Sequence, residues 1–251
     1  MNVFIFDIDG VIRDVSGSYR RALADTVEHF VLHLTGDRYR PSSEDIDDLK
    51  AEGTWNNDWE ASQELILRYL KGRSLTVSYE EIVAFFQGRY RGKRSDWTDG
   101  YIASEPLIAN KEYFVNLTAS GVGWGFFSGA TRASAGYVLG RLEIANPVLV
   151  AMEDAPGKPD PTGLLVAVRQ IAAMGKDEIE QVVYVGDTVA DMLTVVKARD
   201  YEPNYQYVAV GVIPPHVRDR DRYADLLRAN GADLVLNNVL ELETSFQSRN
   251  G

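Results

Sequence analysis

Four places in this sequence combine residue types that could do chemistry. Asp7-Ile8-Asp9-Gly10 closes a first apolar run, and Ser128-Gly129-Ala130-Thr131 follows a second. Gly157-Lys158-Pro159 comes after a third, and Gly186-Asp187-Thr188 ends a fourth, with Asp191 one helical turn further on. Taken singly, each piece is ordinary. Asp and Gly favour turns, Ser and Thr cap helices, and acids suit a helix N-terminus. The coincidence is the signal. Asp7, Asp9 and Asp187, brought together, would repel one another unless a cation sat among them. The chain has no Cys and only three His. Its hard oxygen donors therefore favour magnesium over zinc.

These residues need a scaffold that carries them to one rim. Val3 to Ile8 reads as a buried parallel strand, since it is almost continuously apolar. Further strands read at Gly123–Phe127, Val148–Ala151, Val182–Val185, Tyr207–Val212 and Asp233–Leu236. Helical patterns separate them at Lys111–Ala119, Ala133–Leu142, Pro161–Met174 and Ala190–Ala198. This alternation predicts right-handed crossovers and a parallel sheet. In such a sheet, ligands bind beyond the carboxyl ends of the strands, where the acids, Ser128 and Lys158 fall. Between the first and second strands the texture is helical. Tyr19, Leu23, Val27, Phe30, Val31 and Leu34 recur at three- and four-residue steps. The expected fold class is α/β: a Rossmann-like, doubly wound core of residues 1–15 and 100–251, with an α-helical cap inserted at 16–99. Joints are expected near Val15–Ser18 and Arg94–Pro106.

Composition narrows the function. Of 251 residues, 37 are Asp or Glu against 26 Lys or Arg, a formal net charge of −11. That balance argues against nucleic acid, which needs a basic face, and against docking on anionic lipid. No apolar run approaches the roughly 20 residues that span a bilayer. The N-terminus lacks the basic region of a signal peptide, so a cytoplasmic location is expected. Without Cys, disulfides, thiolate metal sites and a cysteine nucleophile are excluded. The sequence leaves monomer and homodimer equally open.

Asp7-Ile8-Asp9-Gly10-Val11, Ser128, Lys158 and Gly186-Asp187-Thr188-Val189-Ala190-Asp191 resemble the four ordered motifs of the haloacid dehalogenase superfamily. The resemblance covers nearly the whole chain and includes the placement of the cap. It implies a magnesium-dependent phosphatase that works through an aspartyl-phosphate. Asp7 would be the nucleophile. Asp9 would protonate the leaving alkoxide and then activate water, with its backbone carbonyl on the metal. Ser128 and the Gly129 N–H would hold the phosphoryl group, and Lys158 would bridge it to Asp7. Asp187 would ligate magnesium. Asp191 would support it as a metal ligand, or by fixing Lys158 or a metal-bound water. Asp14 matches a family acid beside the cap joint. A second acid two residues after the nucleophile sets this chain apart from the haloalkanoate and phosphonate branches. Phosphosugar mutases share the first motif, but they carry a cap histidine about where Tyr19 stands and a Glu-Asp fourth motif in place of Gly186-Asp187. A non-catalytic binding protein on the same fold is the remaining alternative.

The expected substrate is a small phosphorylated metabolite. Trp55, Asn57 and Asp58 are the cap's candidate contacts to it, within Gly53-Thr54-Trp55-Asn56-Asn57-Asp58-Trp59. Trp55 and Trp59 are four apart and would share a face on a helix. Asn57 and Asp58 would bind polar groups of the substrate or cap a helix. Arg132 would reach a substrate anion or stand in solvent at a helix start.

Overall fold

The computed structural model describes residues 1–72, 77–175 and 178–242. Their contacts divide the chain into two compact units. One is Met1–Asp14 with the chain from Leu107 onward, and the other is Val15–Pro106.

The first unit is a parallel sheet with helices on both faces. Its strands are β1 (Asn2–Phe6), β2 (Gly123–Phe127), β3 (Leu149–Val150), β4 (Gln181–Gly186), β5 (Gln206–Val212) and β6 (Leu234–Leu236). They lie in the order β3-β2-β1-β4-β5-β6, and every adjacent pair is parallel. β1 is central because its side chains are apolar on both faces. Phe4 and Phe6 pack with α5 (Lys111–Ala119) and α6 (Arg132–Arg141), through Phe114, Val138 and Leu139. Val3 and Ile5 pack on the other face with α7 (Thr162–Met174) and α8 (Val189–Tyr201), through Leu164, Val168 and Val195. Phe6 is fully buried and meets Phe114 edge-on, with ring centroids 5.8 Å apart. Burying such a ring contributes about 1.5–3 kcal/mol.

The expected doubly wound sheet is therefore what the chain forms, with β2 and α5 at their expected bounds. β3 is shorter than expected, because only Leu149 and Val150 reach the edge of β2. The pattern reading passed over α9 (Arg220–Ala229), a helix rich in charge that buries only Ala224 and Leu227.

The second unit holds α1 (Tyr19–Thr35), α2 (Ser43–Ala51), α3 (Asp58–Leu70) and α4 (Tyr79–Tyr90). Helix α1 packs against α3 and α4. Its apolar stripe of Leu23, Val27, Phe30 and Val31 is buried, and Tyr19 stacks on Tyr90 at 4.1 Å. Ser42 and Ser78 start α2 and α4 with reciprocal capping boxes to Asp45 and Glu81. Among the described residues no helix is long and apolar enough to cross a membrane.

Candidate active site

The winding of the sheet reverses between β1 and β4, and that is where crevices form in open α/β sheets. Asp7 leaves β1 there, with its N–H on Val185 O at 2.8 Å. A tight turn follows. Gly10 adopts a positive φ of 74°, and a Cβ at that position would lie 2.0 Å from Asp187 Oδ2. Only glycine lets the turn approach the neighbouring acid so closely. On the other side, Gly186 ends β4 and Thr188 caps α8. Thr188 Oγ1 and N–H both reach Asp191 Oδ2, at 2.6 and 2.9 Å. The cap thus turns the Asp191 carboxylate inward, and that residue is fully buried.

Lys158 lies in the loop after β3, and its ammonium joins the two sides. It is 2.8 Å from Asp7 Oδ2 and 2.6 Å from Asp191 Oδ1. The rings of Phe127 and Tyr184 flank it at 5.3 and 5.5 Å. Tyr184 also donates its hydroxyl to Asp191 Oδ1 at 2.9 Å. Burial opposes charge on Lys158, but Asp191 and Asp7 outweigh it and hold the ammonium above the ordinary lysine range. Burial first, then Asp191 and Asp9, raise the Asp7 carboxyl to about 6, against the pull of Lys158. Asp187 is pushed well up by burial and by the Asp191 and Asp7 charges.

The carboxylates of Asp7, Asp187 and Asp191 each offer an oxygen within 4.8 Å of the others. They differ in what already occupies them. Asp191 is saturated by Lys158, Tyr184, Thr188 and the Asp187 N–H. Asp191 thus contacts Lys158 and also closes the capping box of α8 with Thr188. No described side chain donates a hydrogen bond to the Asp187 carboxylate. An unpartnered buried carboxylate beside a second one suits a small divalent cation with oxygen preference.

A model of haloacid dehalogenase-like hydrolases matches residues 1–198. The chain belongs to that family. Among solved structures, a hydrolase from Pseudomonas syringae is similar at 18% identity and a TM-score of 0.68, with 99% of each chain covered. A phosphatase from Thermococcus thioreducens is similar at 25% identity and a TM-score of 0.65, over 91% of this chain and 99% of that one. A curated relative, the imidazoleglycerol-phosphate dehydratase of Phytophthora nicotianae, is 32% identical over 218 residues. The match takes in 86% of this chain but only 44% of that protein's length. This chain's family is one of hydrolases.

Other expected residues fall as follows. Ser128 ends β2, buried, with its Oγ accepting from Ala130 N–H at 3.2 Å. Gly129 lies in the loop rather than at the helix start, because Thr131 is the N-cap of α6. No described acceptor takes the Gly129 N–H. Arg132 is exposed, and its guanidinium pairs with Asp154. In the helical unit, Trp55 donates to Glu52 Oε2 at 2.8 Å and Asp58 pairs with Lys50 at 2.7 Å. Asn57 takes its capping alternative, accepting from Trp59 N–H at 3.0 Å. Trp55 therefore precedes α3 and does not share a helix face with Trp59. One charged residue beside the site escaped the sequence reading. Arg13, fully buried, holds Asp9 Oδ1 with Nε at 2.6 Å. The available signal was the four-residue spacing of opposite charges across Gly10-Val11-Ile12.

Proposed function

We propose that this hydrolase is a magnesium-dependent phosphatase that cleaves a small phosphorylated metabolite through an aspartyl-phosphate on Asp7. The observation that carries the reading is the buried Asp7–Lys158–Asp191 chain beside the unpartnered Asp187 carboxylate. Asp7 Oδ1 accepts from Ile8 N–H at 2.7 Å and Oδ2 from Lys158, so the nucleophile is held at both oxygens. Lys158 would offset the charge of the incoming phosphate, as preorganised cations do in phosphoryl transfer. Ser128 Oγ and the Gly129 N–H would hold phosphoryl oxygens. Asp9 would give a proton to the leaving alkoxide and take one from the water that follows.

Asp187, Asp7 and the Asp9 carbonyl would hold the metal, with Asp191 fixing Lys158 beside them. When bound, magnesium supplies charge neutralisation for phosphate and carboxylates. The Phytophthora nicotianae relative is named for a phosphate ester of an imidazole-bearing alcohol. That name supports imidazole-bearing phosphate monoesters as the first substrates to try.

Purified enzyme should release inorganic phosphate from an aryl phosphate with magnesium and stop in chelator. An Asp7→Asn variant with full turnover would refute the mechanism. Phosphate returned to the substrate's own carbon skeleton, with none released, would favour a mutase.

A further inference from the structure

We propose that Tyr223 is a positioning residue that sets the Asp187 carboxylate for the metal. The inference rests on the reading of Asp187 as a magnesium ligand. Tyr223 stands in the first turn of α9, and its hydroxyl donates to the Asp187 carbonyl at 2.8 Å. The other end of the same peptide unit is the Thr188 N–H, which donates to Asp191 Oδ2 at 2.9 Å. The peptide plane between Asp187 and Thr188 is thus held at both ends. The Asp187 N–H also reaches Asp191 Oδ2, at 3.2 Å. These bonds fix the backbone torsions on both sides of the Asp187 Cα, and those torsions decide which side-chain rotamers are open to it. The Gly10 turn bounds the carboxylate from a further side.

Asp191 belongs to the Lys158 chain described above, whereas Tyr223 comes from outside it. Its helix packs against α8, β5 and β6. The half-buried ring lies against Ile213, Val217 and Ala224. Phenylalanine would fill that apolar slot as well, so packing does not call for the hydroxyl. A phenol has a single O–H to donate, and this one goes to the backbone of a residue in the acidic cluster. Tyr223 therefore acts through Asp187. Magnesium demands near-ideal octahedral geometry at short distances, so its affinity depends on a carboxylate that is already in place. Outer-shell partners that orient a ligand typically contribute 10–100-fold in metal affinity.

The test uses wild type, Tyr223→Phe, Ala224→Gly and Asp187→Asn, each as the full chain. Manganese is the binding probe, because the electron paramagnetic resonance signal of the free ion falls as the ion is taken up. Magnesium is then titrated in phosphate-release kinetics on the same proteins. Asp187→Asn should abolish manganese uptake, which assigns the ion to this site. Tyr223→Phe should weaken it about tenfold and raise the magnesium needed for half-maximal turnover by the same factor. Turnover at saturating magnesium should stay within about twofold of wild type, because the outer-shell loss is one of affinity. Ala224→Gly loosens the same helix but keeps the hydroxyl, and it should bind as wild type does. Circular dichroism melts in chelator establish that each protein is folded. Wild-type affinity in Tyr223→Phe, or an equal loss in Ala224→Gly, would overturn the role of the Tyr223 hydroxyl. Manganese uptake that is unchanged in Asp187→Asn, or absent in wild type, would instead overturn the reading of Asp187 as a ligand, and this inference with it.

Discussion

Replacing Lys158 by Met gives the sharpest test of how the site is held together. The side chain fits the apolar slot between Phe127 and Tyr184, so steric loss is small. What disappears is the ammonium 2.8 Å from Asp7 and 2.6 Å from Asp191. Two buried carboxylates are then left without their cation. Removing one partner of a buried ion pair costs about 3–5 kcal/mol. At about 2–4 °C per kcal/mol for a chain of this size, the melting temperature in chelator should fall by roughly 6–20 °C. Adding Asp191→Asn removes one stranded charge and should restore about half of the loss, as coupled neighbours do. Activity should not return, because the cation that meets the phosphate is still missing, and it should stay at least about 10²-fold down. Thermal melts by circular dichroism and phosphate-release kinetics on the same three proteins decide the matter. A Lys158→Met protein within about 1 kcal/mol of wild type, or a double variant less stable than the single one, would refute the electrostatic account.

Gly10→Ala should lower stability by about 1–3 kcal/mol and disrupt activity, since the added methyl carbon falls 2.0 Å from Asp187 Oδ2 at a positive φ; urea unfolding reads the first and phosphate release the second. The Asp7 carboxyl, raised from 3.8 to about 6 by burial and neighbouring acids, binds its proton more tightly folded than unfolded. Its contribution in metal-free protein therefore weakens as pH rises from about 4 through about 6. Magnesium should reverse this, so the melting-temperature gain on adding it should grow across the same window; a gain independent of pH would contradict it. Asn57→Ala should cost about 1 kcal/mol through the lost cap of α3, measured by denaturant unfolding. A raised KM at unchanged stability would assign Asn57 to substrate instead.

The sheet was legible because its strands are apolar on both faces and end in turn residues. The clustering of Asp7, Asp187 and Asp191 with Lys158 was legible because they follow strands that share one rim. Less visible were features set by side-chain partners. Thr131 and Asn57 decide where α6 and α3 begin, and Asn57 leaves Trp55 ahead of the helix on which it would have shared a face with Trp59. Helix α9 spends most of its surface on charge, and its narrow apolar face is too weak a periodic signal. Arg13 lies within a run that reads as core, and its pairing with Asp9 needs the turn to be closed.

The strand order has a consequence for synthesis. Asp7 and Asp187 stand side by side in space but 180 positions apart in sequence. One edge of β1 stays without its partner until β4 has emerged. At about 5–20 residues per second, that wait is roughly 10–35 s, during which an apolar strand carries an open edge. A chain that has not yet reached β4 and α8 lacks Asp187 and Asp191, so it cannot assemble the acidic cluster. The nascent enzyme is most vulnerable to mispairing, and most in need of a chaperone, over the whole stretch between its first strand and its fourth.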